Sequence, residues 1–204
     1  MKKLLVSLGI LSMILFLNTC AAPAPEEVPD YLRLMQEAAV TGDLEAGRQA
    51  ARERNAWLDR QSSREERIDF DQLFLLSRLI EGEAGEARFS DEMRMCVGEV
   101  ALNRVLSPEF PNSLAEVVYQ PGQYRCVSQP EFKDGILPGK VSVRVALRLL
   151  QGERMLEPQV LYQSVFPLGP VYAQFYDSVD MRVTYFCESV NRDLYEVPAE
   201  AADL

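Results

Sequence analysis

The sequence predicts an α+β fold, on two periodicities and the order in which they occur. Apolar residues recur at helical spacing in successive blocks from residue 30 to Leu150. After Gly152 the pattern changes to alternation in three short runs, Val160–Phe166, Val171–Tyr176 and Arg182–Cys187, which suggests a small antiparallel sheet. Helices followed by strands favour this class over an alternating α/β arrangement. At 204 residues and 48% hydrophobic content, the chain can bury one good core plus an appendage.

The N-terminus carries Lys2 and Lys3, the apolar run Leu4–Leu17, then Asn18-Thr19-Cys20-Ala21. Residues 1–20 therefore read as a signal peptide, too short for a comfortable membrane span. Leu17, three residues before Cys20, with Ala21 following, resembles a lipobox, in which Cys20 becomes the lipidated first residue. Ordinary cleavage and an uncleaved anchor are the alternatives. The expected location is extracytoplasmic, lipid-anchored to the outer face of the cytoplasmic membrane, with residues 21–29, rich in Pro and Ala, as a linker.

Residues 30–66 predict a helical hairpin, broken at Thr41-Gly42-Asp43 and closed by the charged joint Gln61–Glu66. Its stripe of Tyr31, Leu34 and Ala38 serves either a protein partner or packing on the core. In the next segment Leu73, Leu76 and Ile80 share one helical face. Ser90 caps a second core helix, with Asp91 and Glu92 in its first turn, and Ser107-Pro108 ends it near Val105. A short helix near Ser113–Val117 leads into the turn Tyr119–Tyr124, and an amphipathic helix Val141–Leu150 closes at Gly152. Residues 67–190 form the main domain, and residues 191–204 a C-terminal tail.

Glu83 is the chemically informative position. It is the next residue on the Leu73–Leu76–Ile80 face, with Leu79 one turn behind, whereas Glu81 points roughly 160° away, toward solvent. A carboxyl at the end of an apolar face loses water, which raises its pKa and lets it hold and donate a proton. A solvated helix-end glutamate is the competing reading.

Composition narrows the chemistry. Without Lys2 and Lys3, 19 of the 21 basic residues remain against 31 acidic ones, a balance near −12 that argues against nucleic acid. The absence of histidine removes the usual general base, the commonest zinc ligand and imidazole-dependent triads. Neither Lys133 nor Lys140 lies in a phosphate-cradling loop. No cofactor and no metal site are expected. Cys96 sits among Met93, Met95 and Val97 as a small buried hydrophobe. Cys126 and Cys187 each end a tyrosine-containing, strand-like segment; a disulfide between them and a pair of free core thiols are both open.

The ordered set of motifs resembles the spore cortex-lytic and cell-wall hydrolase family, the SleB-like proteins. Its residues are Leu79-Ile80-Glu81-Gly82-Glu83-Ala84-Gly85, Ser90-Asp91-Glu92-Met93, Val100–Val105, Phe110–Ser113 and Val118–Tyr124. They continue through Ala146–Gly152, Val160-Leu161-Tyr162-Gln163 and Tyr185-Phe186-Cys187. The resemblance implies a lysozyme-like or lytic-transglycosylase-like helical core, a peptidoglycan glycan strand as substrate, and Glu83 as catalytic acid, in spore cortex germination or another wall context. A lytic transglycosylase needs one carboxyl, which protonates the glycosidic oxygen and then acts as base while the muramyl 6-hydroxyl closes an anhydro ring. A hydrolase needs a second, for which Glu86, Asp91, Glu92 and Glu99 are candidates. Expected substrate contacts are Gln120, Gln123, Tyr124, Tyr162, Gln163 and Tyr185; Arg104 reads as a surface or pairing residue. Two segments depart from the family pattern: Ala84–Phe89, and Asp177–Met181 with its two aspartates. The alternative to an enzyme is a non-catalytic lipoprotein that binds peptidoglycan or a partner through the hairpin.

Overall fold

The computed structural model describes residues 29–133 and 135–195. The expected signal segment with Cys20, the linker up to residue 28 and the tail from residue 196 lie outside the described residues.

Aspartates start the first three helices. Asp30 caps α1 (Tyr31–Thr41), Asp43 caps α2 (Leu44–Arg60) and Asp69 caps α3 (Phe70–Ala84), each side chain accepting the N–H three residues on. Gly42, at φ 75°, makes the turn between α1 and α2 in the left-handed region that glycine tolerates. The pair buries Met35, Ala38, Ala39, Ala50 and Ala51, while Leu34 stays 37% exposed. These alanines join Phe70, Leu73, Leu76, Leu79 and Ile80 of α3 in one core. Gly47 is required by this closeness, since a Cβ there would stand 2.0 Å from the Phe70 ring. Arg54 donates to the Glu66 carbonyl, and Asn55 exchanges two hydrogen bonds with the Ile68 backbone. Packing is therefore continuous across residue 66, and the hairpin's apolar face is taken up by the core.

Ser90 caps α4 (Asp91–Leu106), which is buried on nearly every face between Met93 and Ala101. On one side it meets α3 and α7 (Lys140–Leu150); a Cβ on Gly98 would lie 2.5 Å from Leu149 and 2.9 Å from Ile80. On the other side it meets the sheet, formed by β1 (Val160–Ser164), β2 (Val171–Asp177) and β3 (Arg182–Glu188) in the order β1-β3-β2, antiparallel. Phe186 of β3 packs with Ala84, Cys96, Val97, Val100 and Leu156 in a second apolar cluster. The register puts Gln163, Ala173 and Phe186 on this inner face, and Tyr162, Gln174 and Tyr185 on the other. The chain is thus α+β, with two small helices, α5 (Leu114–Tyr119) and α6 (Pro130–Lys133), flanking the path from α4 to α7.

Two local expectations are corrected. The segment Gln123–Cys126 forms no strand; Tyr124 is buried in a loop, and Cys126 opens a 3-10 turn, Cys126–Ser128. Arg104 is not on the surface. It is 4% exposed, because the sheet covers the face of α4 that a two-layer helical packing would leave in water.

Candidate active site

The site is organised by three consecutive residues at the end of α3, each meeting a different neighbour. Glu83 is half-buried, and its Oε1 accepts the Cys126 N–H at 3.2 Å. Gly82 lets that segment approach, since a Cβ there would lie 2.8 Å from Cys126 Cβ and 2.9 Å from its Sγ. Glu81 does point away from Glu83, but not into solvent. Its Oε2 accepts the Gly139 N–H at 2.9 Å and the Ser142 hydroxyl at 2.6 Å, at the N-terminus of α7 where a helix favours negative charge. The 160° separation was sound; what fills the other side is a helix end from about sixty residues further on.

Gly82→Ala is therefore expected to push Cys126 outward and misplace Glu83, lowering activity by roughly tenfold or more while the α3 core persists. Wall-digestion rates beside far-ultraviolet circular dichroism check this; unchanged activity would contradict it.

Cys96, Cys126 and Cys187 are free and buried, so the disulfide considered for Cys126 and Cys187 is not formed. Cys126 rides against Gly82 on α3, whereas Cys187 lies in the central strand opposite Tyr162 and Val171. Burial, then the charge of Glu83, pushes the Cys126 thiol well up, so it stays protonated beside that carboxylate.

Tyr124 lies near this pair and against Arg104. The Arg104 Nε donates to the Leu161 carbonyl at 2.7 Å, and its guanidinium stands over the rings of Phe110 at 4.8 Å and Tyr124 at 5.1 Å. The Tyr124 hydroxyl is close enough to feel the charges of Arg104 and Glu83, yet makes no hydrogen bond of normal geometry. Burial pushes its pKa up to about 12. Asn103, one residue earlier, ties α4 to the Glu157 and Val160 carbonyls.

The six expected substrate residues divide. Gln120, Tyr124 and Gln163 each hold a buried side-chain oxygen without a protein partner among the described residues. Gln123 lies on an exposed turn. Tyr162 packs edge-on against Phe110, with ring centroids 6.2 Å apart, and Tyr185 sits between Ser164 and Gln174; both are on the sheet face opposite Gln163. Alternation along a strand separates neighbours, so Tyr162, Gln163 and Tyr185 cannot line one surface.

The candidate second carboxylates are committed elsewhere. Glu86 is exposed and pairs with Arg88, Asp91 pairs with Arg144 at 2.8 Å, and Glu92 is exposed in the first turn of α4. Glu99 is fully buried, accepting the Met155 N–H at 2.8 Å, and burial raises its pKa. A raised acid pKa means the folded state holds the proton more tightly, so stability falls as pH climbs above about 4.3, the ordinary glutamate value. Glu99→Gln is expected to flatten that decline, as thermal melts between mildly acidic and neutral pH would reveal.

The loop after Glu83 is pinned from two sides. Arg94, buried in α4, donates to the carbonyls of Ala84 at 3.0 Å, Glu86 at 2.8 Å and Phe89 at 2.6 Å. Arg88 reaches Asp177 and Asp180, each at 2.9 Å, in the turn between β2 and β3. The two segments that depart from the family pattern thus meet each other, with Arg88 pairing with both aspartates. Cavities of about 410 and 420 Å³ lie beside the hairpin, lined by Arg48, Asn55 and Asp71 in one and Arg33, Val40 and Lys140 in the other; neither includes Glu83.

Fold and site together define an α+β protein with a helix-borne carboxylate, Glu83, held by Cys126 and near the buried Tyr124 hydroxyl. A model of the cell wall hydrolase family matches residues 90–167, from the cap of α4 to just past β1. No curated protein and no solved structure matches the chain. The family match supports a peptidoglycan-degrading function. It begins seven residues after Glu83, so it bears on Arg104, Gln120, Tyr124 and Gln163 but not on that carboxylate.

Proposed function

We propose that the protein cleaves the glycan strands of peptidoglycan by a lytic-transglycosylase-type reaction, with Glu83 as the single general acid and base. The observation that carries this reading is the placing of Glu83. Its carboxyl is held by the Cys126 N–H with the Cys126 thiol against it, and Glu86, Asp91, Glu92 and Glu99 are all engaged elsewhere. A carboxyl so held can protonate a glycosidic oxygen and then, as carboxylate, accept the proton of the attacking hydroxyl on the same sugar. Activation of water by a second acid has no evident candidate beside it.

In the same proposal Cys20 and its lipid tether the enzyme outside the cytoplasm, next to its polymer. A scaffold that binds walls without cutting them draws less support, because of the stripe offered for a partner Ala38 is buried in the core and Tyr31 half-buried, which leaves Leu34 alone exposed.

Digestion of purified vegetative peptidoglycan, and separately of spore cortex, with mass analysis of the released muropeptides tests the reading. Anhydro-muramyl ends are expected. Reducing ends would replace transglycosylation by hydrolysis, and binding without any product on either substrate would favour the scaffold.

A further inference from the structure

We infer that β2 is a docking edge for a second copy of this chain, the two strands pairing antiparallel about Gln174 and joining two three-stranded sheets into one continuous sheet. The inference does not depend on the reaction assigned to Glu83.

β2 ends the sheet order β1-β3-β2, so among the described residues β3 is its one strand partner, and the N–H and C=O groups on its other side face away from the sheet. No loop backbone takes them among the described residues. Edge strands that stay solitary are blunted by lysine, proline or an inward-pointing charge. Val171-Tyr172-Ala173-Gln174-Phe175-Tyr176-Asp177 has none of these before its last residue, and Asp177 is paired with Arg88. The bulge between Val171 and Ala173 disturbs only the start of the strand. In a chain of formal net charge −10, which repels a copy of itself over most surfaces, this edge is uncharged from Val171 to Tyr176. Tyr172, Gln174 and Tyr176 are exposed.

The segment that fits beside this edge is the edge itself. Antiparallel pairing about Gln174 sets Tyr172 opposite the partner's Tyr176, and Ala173 opposite the partner's Phe175. One face then gains two tyrosine pairs around a contact between the two glutamines, and the other twice sets a small side chain against a large one. Asp177 meets the partner's Val171, so no like charges are opposed. Either hydrogen-bonding phase of an antiparallel ladder allows this, because a residue on the two-fold axis faces itself in both. The ends agree with the middle. Pairing brings the turn after β2, where Val179 and Met181 are 66% and 78% exposed, toward the start of β2 in the other copy, where Leu168 and Val171 are exposed. That apolar contact extends the interface beyond the two strands. The chain's own tail is a poor occupant, since Glu196, Pro198, Glu200 and Asp203 put charge and a missing N–H where the ladder needs neither. Arg88 ties the turn after β2 to the segment that follows Glu83, so the interface borders that loop in each copy.

Sedimentation equilibrium of the full chain in density-matched detergent, over a concentration series, reads the association. A dimer with a dissociation constant of about 10 μM or below is expected, and Gln174→Lys, which sets two like charges against each other, is expected to raise that constant by about tenfold or more. Gln174 is exposed, so the melting temperature of this variant should stay with the parent's. Should it fold poorly, Gln174→Cys reads the geometry directly. Self-opposed residues have Cα atoms about 4.5–5.5 Å apart, within disulfide reach, so oxidised glutathione is expected to cross-link this variant into dimers. Tyr176→Cys is the control, since the same register holds that position about 13 Å from its own copy. The parent chain treated alike gives any background from Cys20, because Cys96, Cys126 and Cys187 are buried. A chain that stays monomeric up to about 200 μM would overturn the proposal. A dimer that Gln174→Lys leaves unchanged would overturn it in favour of another surface, and cross-linking of Tyr176→Cys as readily as Gln174→Cys would overturn the register.

Discussion

Replacing Glu83 with glutamine is expected to cut muropeptide release by about 10²- to 10⁴-fold, the range of a lost general acid. Thermal stability should hardly move. Glutamine keeps the length and shape of the side chain, and its carbonyl oxygen can still accept the Cys126 N–H. What disappears is the transferable proton and, after transfer, the carboxylate that takes one back. Glu83→Asp gives a second view, because it preserves the chemistry but withdraws the oxygens by one methylene. Its activity should also fall steeply, since reacting groups must be placed within a fraction of an ångström. Muropeptide release measured by mass, with melting curves on the same preparations, separates the two effects. A glutamine variant that digests walls at the parent rate would remove Glu83 from the mechanism.

The second large effect is structural. Arg94→Ala should lower stability by about 3 kcal/mol, because three backbone carbonyls lose a charged donor and one of them, Ala84, belongs to a buried residue. For a chain of this size that corresponds to a fall of roughly 6–12 °C in melting temperature. Activity should fall as well, since the loop released begins one residue after Glu83. Lysine should not rescue it, as one ammonium cannot meet three carbonyls spread over six residues the way a planar guanidinium does. Calorimetry of the alanine and lysine variants checks this, and a shift of a degree or less would show that water replaces the arginine without penalty.

Local signals in this chain were readable where local chemistry governs. Leu73, Leu76 and Ile80 mark the buried face of α3, and Leu79 joins it. Ser90 was legible as the cap of α4, and the alternation of β1 to β3 was legible because a strand has two faces. The same reasoning failed at Gln123–Cys126. Tyrosine and cysteine favour strands, but tertiary packing against Gly82 overrode that preference and left a buried loop with a 3-10 turn.

The site was legible only in part. Glu83 could be singled out from the face it occupies, and Gln120, Tyr124 and Gln163 were named among residues that the fold leaves with unpartnered oxygens. Tyr162, Gln163 and Tyr185 are expected on strands whose polar face lines a cleft, and the register of β1 and β3 sends the two tyrosines to the face opposite Gln163. Arg104 reads as a surface or pairing residue and is buried instead. An arginine near the end of a helix gives no sign of burial; its absence from any local i, i+4 pair with an acid, at Val100 or Pro108, was the one available hint.

By itself, then, the sequence determined the α+β class, the helix starts, the chemistry available without histidine, and Glu83 as the carboxyl on an apolar face. Tertiary structure alone decided that Glu81 would hold α7 and Gly82 would admit Cys126. It also decided that the hairpin would merge with the core, and that Arg104 and Tyr124 would meet. Periodicity and capping act over one or two turns and leave a trace in neighbouring residues, whereas these contacts join positions some twenty to sixty residues apart. They exist only because α4 is enclosed between helices on one side and the sheet on the other.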